Sequence, residues 1–197
     1  MPEISPLAPE PKVLSFLSKR RSRPAKSLKG PGPDAAALRD LLEIAARVPD
    51  HGKLEPWRFI VLGSERRLKL GSLVAELGPA YGLEPEKVAK ARAMFDDAPS
   101  MVAVVAQPVD SPKIPEVEQT LSAGAVCYGL LMAALAGGWG ANWLTGWMAF
   151  DRSFLTRGLD LAETEWVAGW IVIGTEGAVP PDRPRPDLDT KIEWRDA

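Results

Sequence analysis

A stretch of thirty residues without a charged side chain, Leu121 to Phe150, most constrains how this chain can fold. Pro115 can open a helix that runs into the stretch and continues to about Ala136, where Gly137 and Gly138 should end it. A helix that is apolar nearly all round needs neighbours on several sides. The sequence therefore predicts that this helix forms the buried centre of the fold or of a dimer.

A transmembrane helix is the alternative interpretation, because thirty uncharged residues are long enough to span a bilayer. Six glycines and Asn142 interrupt the stretch, however, and the adjacent pair Gly137-Gly138 divides it in half. We therefore expect no membrane partner. The N-terminus lacks a charged segment followed by an apolar run, and the single cysteine, Cys127, cannot form an internal disulfide. Both features favour a cytoplasmic location.

Strand and helix patterns alternate along the chain and predict an α+β fold. Short apolar strands are indicated at residues 59–62, 101–106, 139–144 and 167–173. Further helices are indicated at 13–19, from Asp34 to Pro49, after a cap at Ser64, at 85–96 and after a cap at Asp151. Prolines near both ends indicate an N-terminal arm at 1–12 and a C-terminal extension at 178–197. The length suits one domain, 1–197.

Four cations and a hydroxyl occupy the five consecutive residues from Lys19 to Arg23. Guanidinium and hydroxyl groups are suited to holding a phosphate, so Arg20, Arg21 and Ser22 are candidate ligands of a phosphorylated molecule. Two other interpretations stay open: a solvated basic helix end, which the helix dipole favours, and an arm that binds nucleic acid. The formal net charge of −2 and the lack of aromatic residues among these cations argue against nucleic acid.

The only histidine, His51, lies on a loop broken by Pro49 and Gly52. Taken alone, such a histidine is typical of an ordinary surface residue. Arg47 precedes it by about one helical turn, so the two side chains can approach one anionic or electron-rich group from the same side. A single histidine also argues against a His-rich zinc or di-iron centre, and we expect no metal.

Taken together, these segments resemble the signature of the nitroreductase family, in particular its short, minimal branch. The matching segments are Arg20-Arg21-Ser22, Arg47-x-Pro49-Asp50-His51-x-x-x-x-Pro56-Trp57-x-Phe59, Ala133-Ala134-Leu135-Ala136-Gly137-Gly138, Trp143-Leu144-Thr145-Gly146 and Gly169-Trp170-Ile171-Val172-Ile173-Gly174. The resemblance covers most of the chain between residues 13 and 176. It implies a three-layer α/β/α sandwich with a mixed, mainly antiparallel sheet flanked by helices, and with extended termini swapped between subunits.

The resemblance also implies roles for individual residues at a flavin. Arg20, Arg21 and Ser22 would bind the phosphate and ribityl chain of FMN. Arg47 and His51 would reach the same flavin from the other subunit of a homodimer, so that each flavin site lies at the interface.

Two further segments acquire roles in the same way. The strand residues Trp143, Leu144 and Thr145 would line the flavin. A turn would lie near the nicotinamide nucleotide, and it comprises Ala133, Ala134, Leu135, Ala136, Gly137 and Gly138. Arg183 or Arg185 could add a late phosphate contact, but the sequence does not decide the role of either residue.

The implied activity is that of an FMN-dependent oxidoreductase with NAD(P)H as co-substrate. Hydride would pass from NAD(P)H through flavin N5 to a small-molecule acceptor, such as a nitroaromatic or a quinone, in a ping-pong mechanism. No dedicated acid–base residue is required, and we assign none. Two alternatives stay open: other flavin chemistry on the same scaffold, such as dehalogenation or an oxygen-dependent reaction, and a non-catalytic flavin-binding protein. The acceptor and the choice between NADH and NADPH also stay open.

Overall fold

The computed structural model describes Ile4 and residues 6 to 195, so part of the predicted N-terminal arm lies outside the described residues. The α-helices in these residues are α1 (Pro11–Lys19), α2 (Ala35–Ala45), α3 (Ser64–Leu77), α4 (Pro85–Asp96), α5 (Glu116–Ala136) and α6 (Arg152–Leu159). The strands are β1 (Leu28–Lys29), β2 (Trp57–Val61), β3 (Ser100–Ala106), β4 (Gly140–Leu144) and β5 (Trp166–Glu176). The predicted α+β class is confirmed.

Helix starts follow the local sequence closely. Asp34 and Asp151 cap α2 and α6 by accepting hydrogen bonds from backbone N–H groups, as predicted. Two expectations were wrong in detail. Helix α1 begins at Pro11 rather than at residue 13, because proline suits the first helical turn. Ser64 does not cap α3 but lies inside it, and Gly63 takes the cap position without a side-chain bond.

One sheet joins all five strands, in the order β1-β5-β3-β2, with β4 also paired to β5. All four strand pairs within the described residues are antiparallel, in agreement with a mainly antiparallel sheet. The register between β3 and β5 shifts after Val104, so Ala168 is the extra residue of a β-bulge. Strand β1 is only two residues long, and the sequence analysis missed it.

Side chains of the sheet alternate between two apolar clusters, one on each face. On one face, Val102 and Val104 pack with α2 and α5; on the other, Met101 and Ala103 pack with α3, α4 and α6. The helices therefore cover both faces of the sheet, as in a three-layer sandwich. Exchange of the termini between subunits and a single domain over 1–197 stay predictions.

Helix α5 lies in the core, as its composition predicted. By length and composition it could cross a membrane, but 56% of its most apolar window is buried inside the protein. Cys127 on this helix is fully buried, and burial raises the pKa of its thiol to about 12. The thiol is therefore protonated at neutral pH, as expected for an inert core cysteine.

A buried carboxylate ties β2 to β5 and makes stability depend on pH. Glu165 accepts two hydrogen bonds from Arg58, at 2.7 and 3.0 Å, and its side chain is only 6% exposed. These bonds hold the pKa of Glu165 below its usual value of 4.5. The stabilisation is therefore fully present above pH 4.5 and is lost as the pH falls through the lower folded pKa.

We expect Glu165→Gln to lower the free energy of unfolding at pH 7 by about 1–2 kcal/mol, since the partly exposed Arg58 is screened by solvent. It should also flatten the decline in stability below pH 4.5. Urea denaturation at several pH values measures both effects. Glu76→Gln is the matched control, because Glu76 also accepts two hydrogen bonds from one arginine, Arg157, but lies on the surface. An equal loss in both variants would contradict the prediction.

Candidate functional site

The basic segment that follows α1 runs along the outer edge of β4. Helix α1 ends at Lys19, and Arg20 takes an extended conformation. The backbone N–H of Arg23 then donates to the carbonyl of Ala141 at 2.8 Å, and the Asn142 side chain donates to the carbonyl of Arg23 at 2.7 Å. These bonds fix the segment in place, with Arg20, Arg21 and Ser22 half-buried.

Arg23, the last residue of the basic segment, is used in contacts within the fold. Its guanidinium forms an ion pair with Glu176 at the end of β5 and donates to the carbonyl of Arg21 at 2.7 Å. The last residue of the basic cluster is therefore neutralised, while Arg20 and Arg21 have no carboxylate partner among the described residues.

The C-terminal extension folds back over this segment. Arg21 donates to the carbonyl of Pro181 at 3.3 Å. A cavity of ≈ 540 Å³, which we call the tail cavity, opens between the two segments. Its lining residues are Arg20, Arg21, Ser22, Pro24, Asn142, Arg183, Pro184, Arg185 and Pro186. Residues separated by 160 positions in the chain are thus brought to one site.

Four guanidinium groups and a serine hydroxyl line the tail cavity, and their chemistry suits an anion. Arg20 donates to Ser22 Oγ at 3.2 Å, and its Nε is buried without a hydrogen-bond partner in the described structure. Asp182 neutralises only Arg185, at 2.8 Å. The pKa of Asp182 is below its usual range, first because the Arg183 backbone donates to it and then because Arg185 and Arg21 are near. Such a donor set fits the phosphate of FMN.

A second cavity, of ≈ 480 Å³, lies on the other side of Arg20 and Arg21, between α1 and the turn after α5. We call it the α1 cavity. It is lined by Lys12, Ser15, Phe16, Lys19, Arg20, Arg21, Arg23, Leu135, Gly138, Trp139, Gly140 and Glu176. Two residues of the predicted nucleotide turn therefore lie beside the basic segment. Ala133 and Ala134 of that turn are buried in the core, and Ala136 and Gly137 are exposed.

The three flavin-lining candidates on and after β4 point in different directions. The Trp143 indole packs over Gly169 and donates to the carbonyl of Ala168 at 3.0 Å. Leu144 lies on the opposite face of the sheet and lines a third cavity, of ≈ 430 Å³, beside α4. Thr145 is exposed. Their contact with a flavin stays a prediction.

Arg47 and His51 lie at different points along α5: Val48, next to Arg47, packs near Gly129, whereas His51 contacts the start of the helix. His51 Nδ1 is 2.7 Å from an Oε2 atom of Glu118, at the start of α5, and Arg47 is exposed. Leu135, which lines the α1 cavity with Arg20, is at the other end of the same helix. Seventeen residues of helix separate Glu118 from Leu135, which corresponds to roughly 25 Å. Within one chain, His51 and the α1 cavity therefore lie near opposite ends of α5.

The structure brings further residues to the site, some of which the sequence had left without a decided role. Arg183 and Arg185 line the tail cavity, although the sequence left their roles undecided, and Asn142 joins them. Glu118 forms a hydrogen bond with His51, and the sequence had assigned it no role. The signal for the arginines was present in the proline-rich Arg183-Pro184-Arg185 sequence. No local signal marked Asn142 or Glu118, because their contacts span more than 60 residues.

The antiparallel sheet between two helical layers defines an α+β protein, and an arginine-lined cavity opens beside β4. The sequence profile described as the Nitroreductase family matches residues 17–175. A Haemophilus influenzae protein with the provisional name NAD(P)H nitroreductase is 37% identical over 182 residues, which cover 91% of this chain and 96% of that protein. Escherichia coli YdjA, which carries the same provisional name, is 31% identical over 83% of this chain and 87% of its own.

Solved structures agree with this assignment at the level of the fold. A nitroreductase-like family protein from Bacillus cereus superposes with a TM-score of 0.78 at 21% identity, over 99% of this chain and 100% of that one. A variant of NfnB, an FMN- and NADPH-dependent nitroreductase from Sphigopyxis sp. strain HMH, superposes with a TM-score of 0.70 at 19% identity, over 92% and 97%. The chain belongs to the nitroreductase family. It is an NAD(P)H-dependent oxidoreductase.

Proposed function

We propose that this protein binds FMN, works as a homodimer, and passes electrons from NAD(P)H to small-molecule acceptors such as nitroaromatics or quinones in a ping-pong sequence. A bound flavin would supply the redox chemistry by accepting hydride at N5 and reducing the acceptor in turn. The residues of this chain hold the phosphate, orient the ring and bring a second subunit's side chains to it.

The observation that carries this proposal is the tail cavity. Four arginines line this cavity, and the carboxylate beside them, Asp182, is already paired with Arg185. The buried Nε of Arg20 has no hydrogen-bond partner in the described structure. A buried donor without an acceptor is costly, so the site favours an anion that supplies one. The FMN phosphate is a dianion with acceptor oxygens, and Ser22 and Asn142 add polar groups that suit the adjoining ribityl hydroxyls.

The placement of His51 supports a site built from two chains. Within one chain, about 25 Å of helix α5 separates the Glu118–His51 pair from the basic segment. A homodimer can remove this separation by bringing the His51 loop of one subunit to the tail cavity of the other. Exposed apolar side chains on the outer surface favour such a dimer; they include Ile44 of α2 and Val117, Leu121 and Tyr128 of α5.

The His51 loop is held rigidly enough to serve this purpose. Ser122 of α5 donates to the carbonyl of Pro49 at 2.8 Å and accepts a hydrogen bond from the Trp57 indole at 3.1 Å. Asp50 accepts hydrogen bonds from the backbone of Leu54 and Glu55. Both ends of the loop are thus anchored to one helix. His51 uses Nδ1 for Glu118, which leaves Nε2 available to a ligand of the partner subunit.

The experiment that tests the function is anaerobic titration of the purified protein with nicotinamide nucleotides. The protein saturated with FMN should be yellow and should bleach on addition of NADPH or NADH. Adding a nitroaromatic or a quinone should restore the yellow colour. A yellow protein that is inert to both nucleotides would instead indicate a flavin binder without turnover. A protein that takes up no FMN would overturn the proposal.

The same preparation tests the role of Arg20. We expect Arg20→Ala to weaken FMN binding by about one to two orders of magnitude, because a charge-assisted contact contributes about 1.5–3 kcal/mol. Fluorescence quenching of FMN measures the affinity. Arg39→Ala is the matched control, since Arg39 is 79% exposed on α2, away from both cavities. Equal FMN affinities in the two variants would remove Arg20 from the site.

A further inference from the structure

The α1 cavity has a charge pattern that the FMN phosphate does not explain. Five cationic side chains line it, against one carboxylate, Glu176, which is already paired with Arg23. Lys12 and Lys19 belong to this cavity and not to the tail cavity, and neither forms an ion pair within the described part of the chain. An excess of unpaired cations around one concave surface indicates a second polyanionic ligand.

We infer that the α1 cavity binds the adenosine half of NADPH and recognises its 2′-phosphate, so that the protein prefers NADPH to NADH. This inference rests on the proposed function, because it takes the tail cavity to be filled by FMN. It goes further by assigning the co-substrate to particular side chains and by choosing between the two nucleotides.

One face of α1 is built for such a ligand. Its lining residues Lys12, Ser15, Phe16 and Lys19 follow the i, i+3, i+4, i+7 spacing of a single helix face. The two lysines are thus about 10 Å apart along the helix axis. That separation allows them to approach two different anionic groups of one ligand. Adenosine with phosphates at both its 2′ and 5′ positions offers two such groups, whereas the adenosine of NADH offers only one.

The aromatic and apolar side chains of the α1 cavity suit the base. Trp139 and Phe16 are partly buried aromatic side chains, and Leu135 adds apolar surface. A purine can stack on an aromatic ring of this kind. Gly138, at φ +83°, leaves open space where a side chain would otherwise project, so the backbone of the turn is accessible to the ligand. The α1 cavity thus offers cations for the phosphates and aromatic rings for the base of a nucleotide.

The test is calorimetric titration of the FMN-saturated protein with adenosine 2′,5′-bisphosphate and with AMP, which differ only in the 2′-phosphate. We expect the bisphosphate to bind at least about tenfold more tightly. Lys12→Ala/Lys19→Ala should abolish this difference, since alanine preserves the helix but removes both charges. In anaerobic bleaching, the same variant should lose its preference for NADPH over NADH.

The matched control is Lys87→Ala, which removes an exposed lysine from α4 outside both cavities. It should keep the full preference for the bisphosphate. Equal binding of the two nucleotides to the wild type, or an unchanged preference in the Lys12→Ala/Lys19→Ala variant, would overturn the inference while leaving the proposed function intact. Failure to take up FMN would overturn the proposed function instead. Titration of the FMN-free protein would then still test the lysines, which line only the α1 cavity.

Discussion

Refolding an Arg20→Glu chain together with a His51→Glu chain should return roughly a quarter of wild-type activity from two inactive proteins. A homodimer of either variant carries the same substitution at both of its flavin sites. In a heterodimer, one site carries both substitutions. The other site receives Arg20 from the His51→Glu chain and His51 from the Arg20→Glu chain. Random reassortment produces heterodimers about half of the time, each with one repaired site of two.

The physical basis is the roughly 25 Å of α5 between the His51 loop and the basic segment. Two residues so far apart in one chain can serve one flavin only from different subunits. The glutamates also repel an anionic ligand, which lowers the background activity of each homodimer.

The readout is bleaching of FMN by NADPH after the mixed chains are unfolded and refolded. Each variant refolded alone is the control, and light scattering must show that both form dimers. If both variants dimerise and the mixture stays inactive, the two residues do not serve one site from different chains.

Gly169→Ala should strongly destabilise the protein, because there is no room for a methyl group at this position. An added Cβ atom would collide with the Trp143 indole and would lie 2.8 Å from the sulfur of Cys127. Gly169 is on the central strand β5, next to the bulge at Ala168, so the backbone has little freedom to move away. Overpacking of this kind costs about 1–3 kcal/mol.

For a domain of this size, that loss lowers the Tm by roughly 3–10 °C, as differential scanning calorimetry can measure. We also expect a change in tryptophan fluorescence, since Trp143 must leave its hydrogen bond to the Ala168 carbonyl. Gly63→Ala is the matched control, because nothing lies within 4 Å of a Cβ at Gly63 and its backbone suits any residue. Equal Tm values for the two variants would contradict the prediction, because they would show that the side chains of Trp143 and Cys127 can move to make room for the methyl group.

The bulge shows why packing at this point could not be read from the chain. The extra residue of a bulge is not paired with the neighbouring strand, so the Ala168 carbonyl needs another hydrogen-bond donor. Trp143, from a different strand, supplies it. A glycine and a tryptophan 26 positions apart carry no local sign that they lie in contact. Only the pairing of β4 with β5 brings them together.

The helices and strands, by contrast, were largely determined by the sequence. Capping at Asp34 and Asp151, the opening of α5 after Pro115 and its end at Gly137 depend on neighbours a few positions away. The same holds for Arg20-Arg21-Ser22, because three contiguous polar side chains keep their chemistry in any fold. Local interactions of this kind are present in the sequence itself, which explains why the predictions of the helices and strands succeeded; the phosphate role of Arg20, Arg21 and Ser22 stays a prediction.

The complete site was decided by tertiary structure. Arg183 and Arg185 reach the basic segment only because the C-terminal extension folds back over β4, and Glu118 meets His51 only because the loop packs on α5. The separation of His51 from Arg20 likewise follows from the direction and length of α5. Contacts between distant segments depend on how whole elements pack. The sequence therefore determined the elements and the candidate phosphate ligands, and the tertiary structure determined which other residues lie beside those candidates.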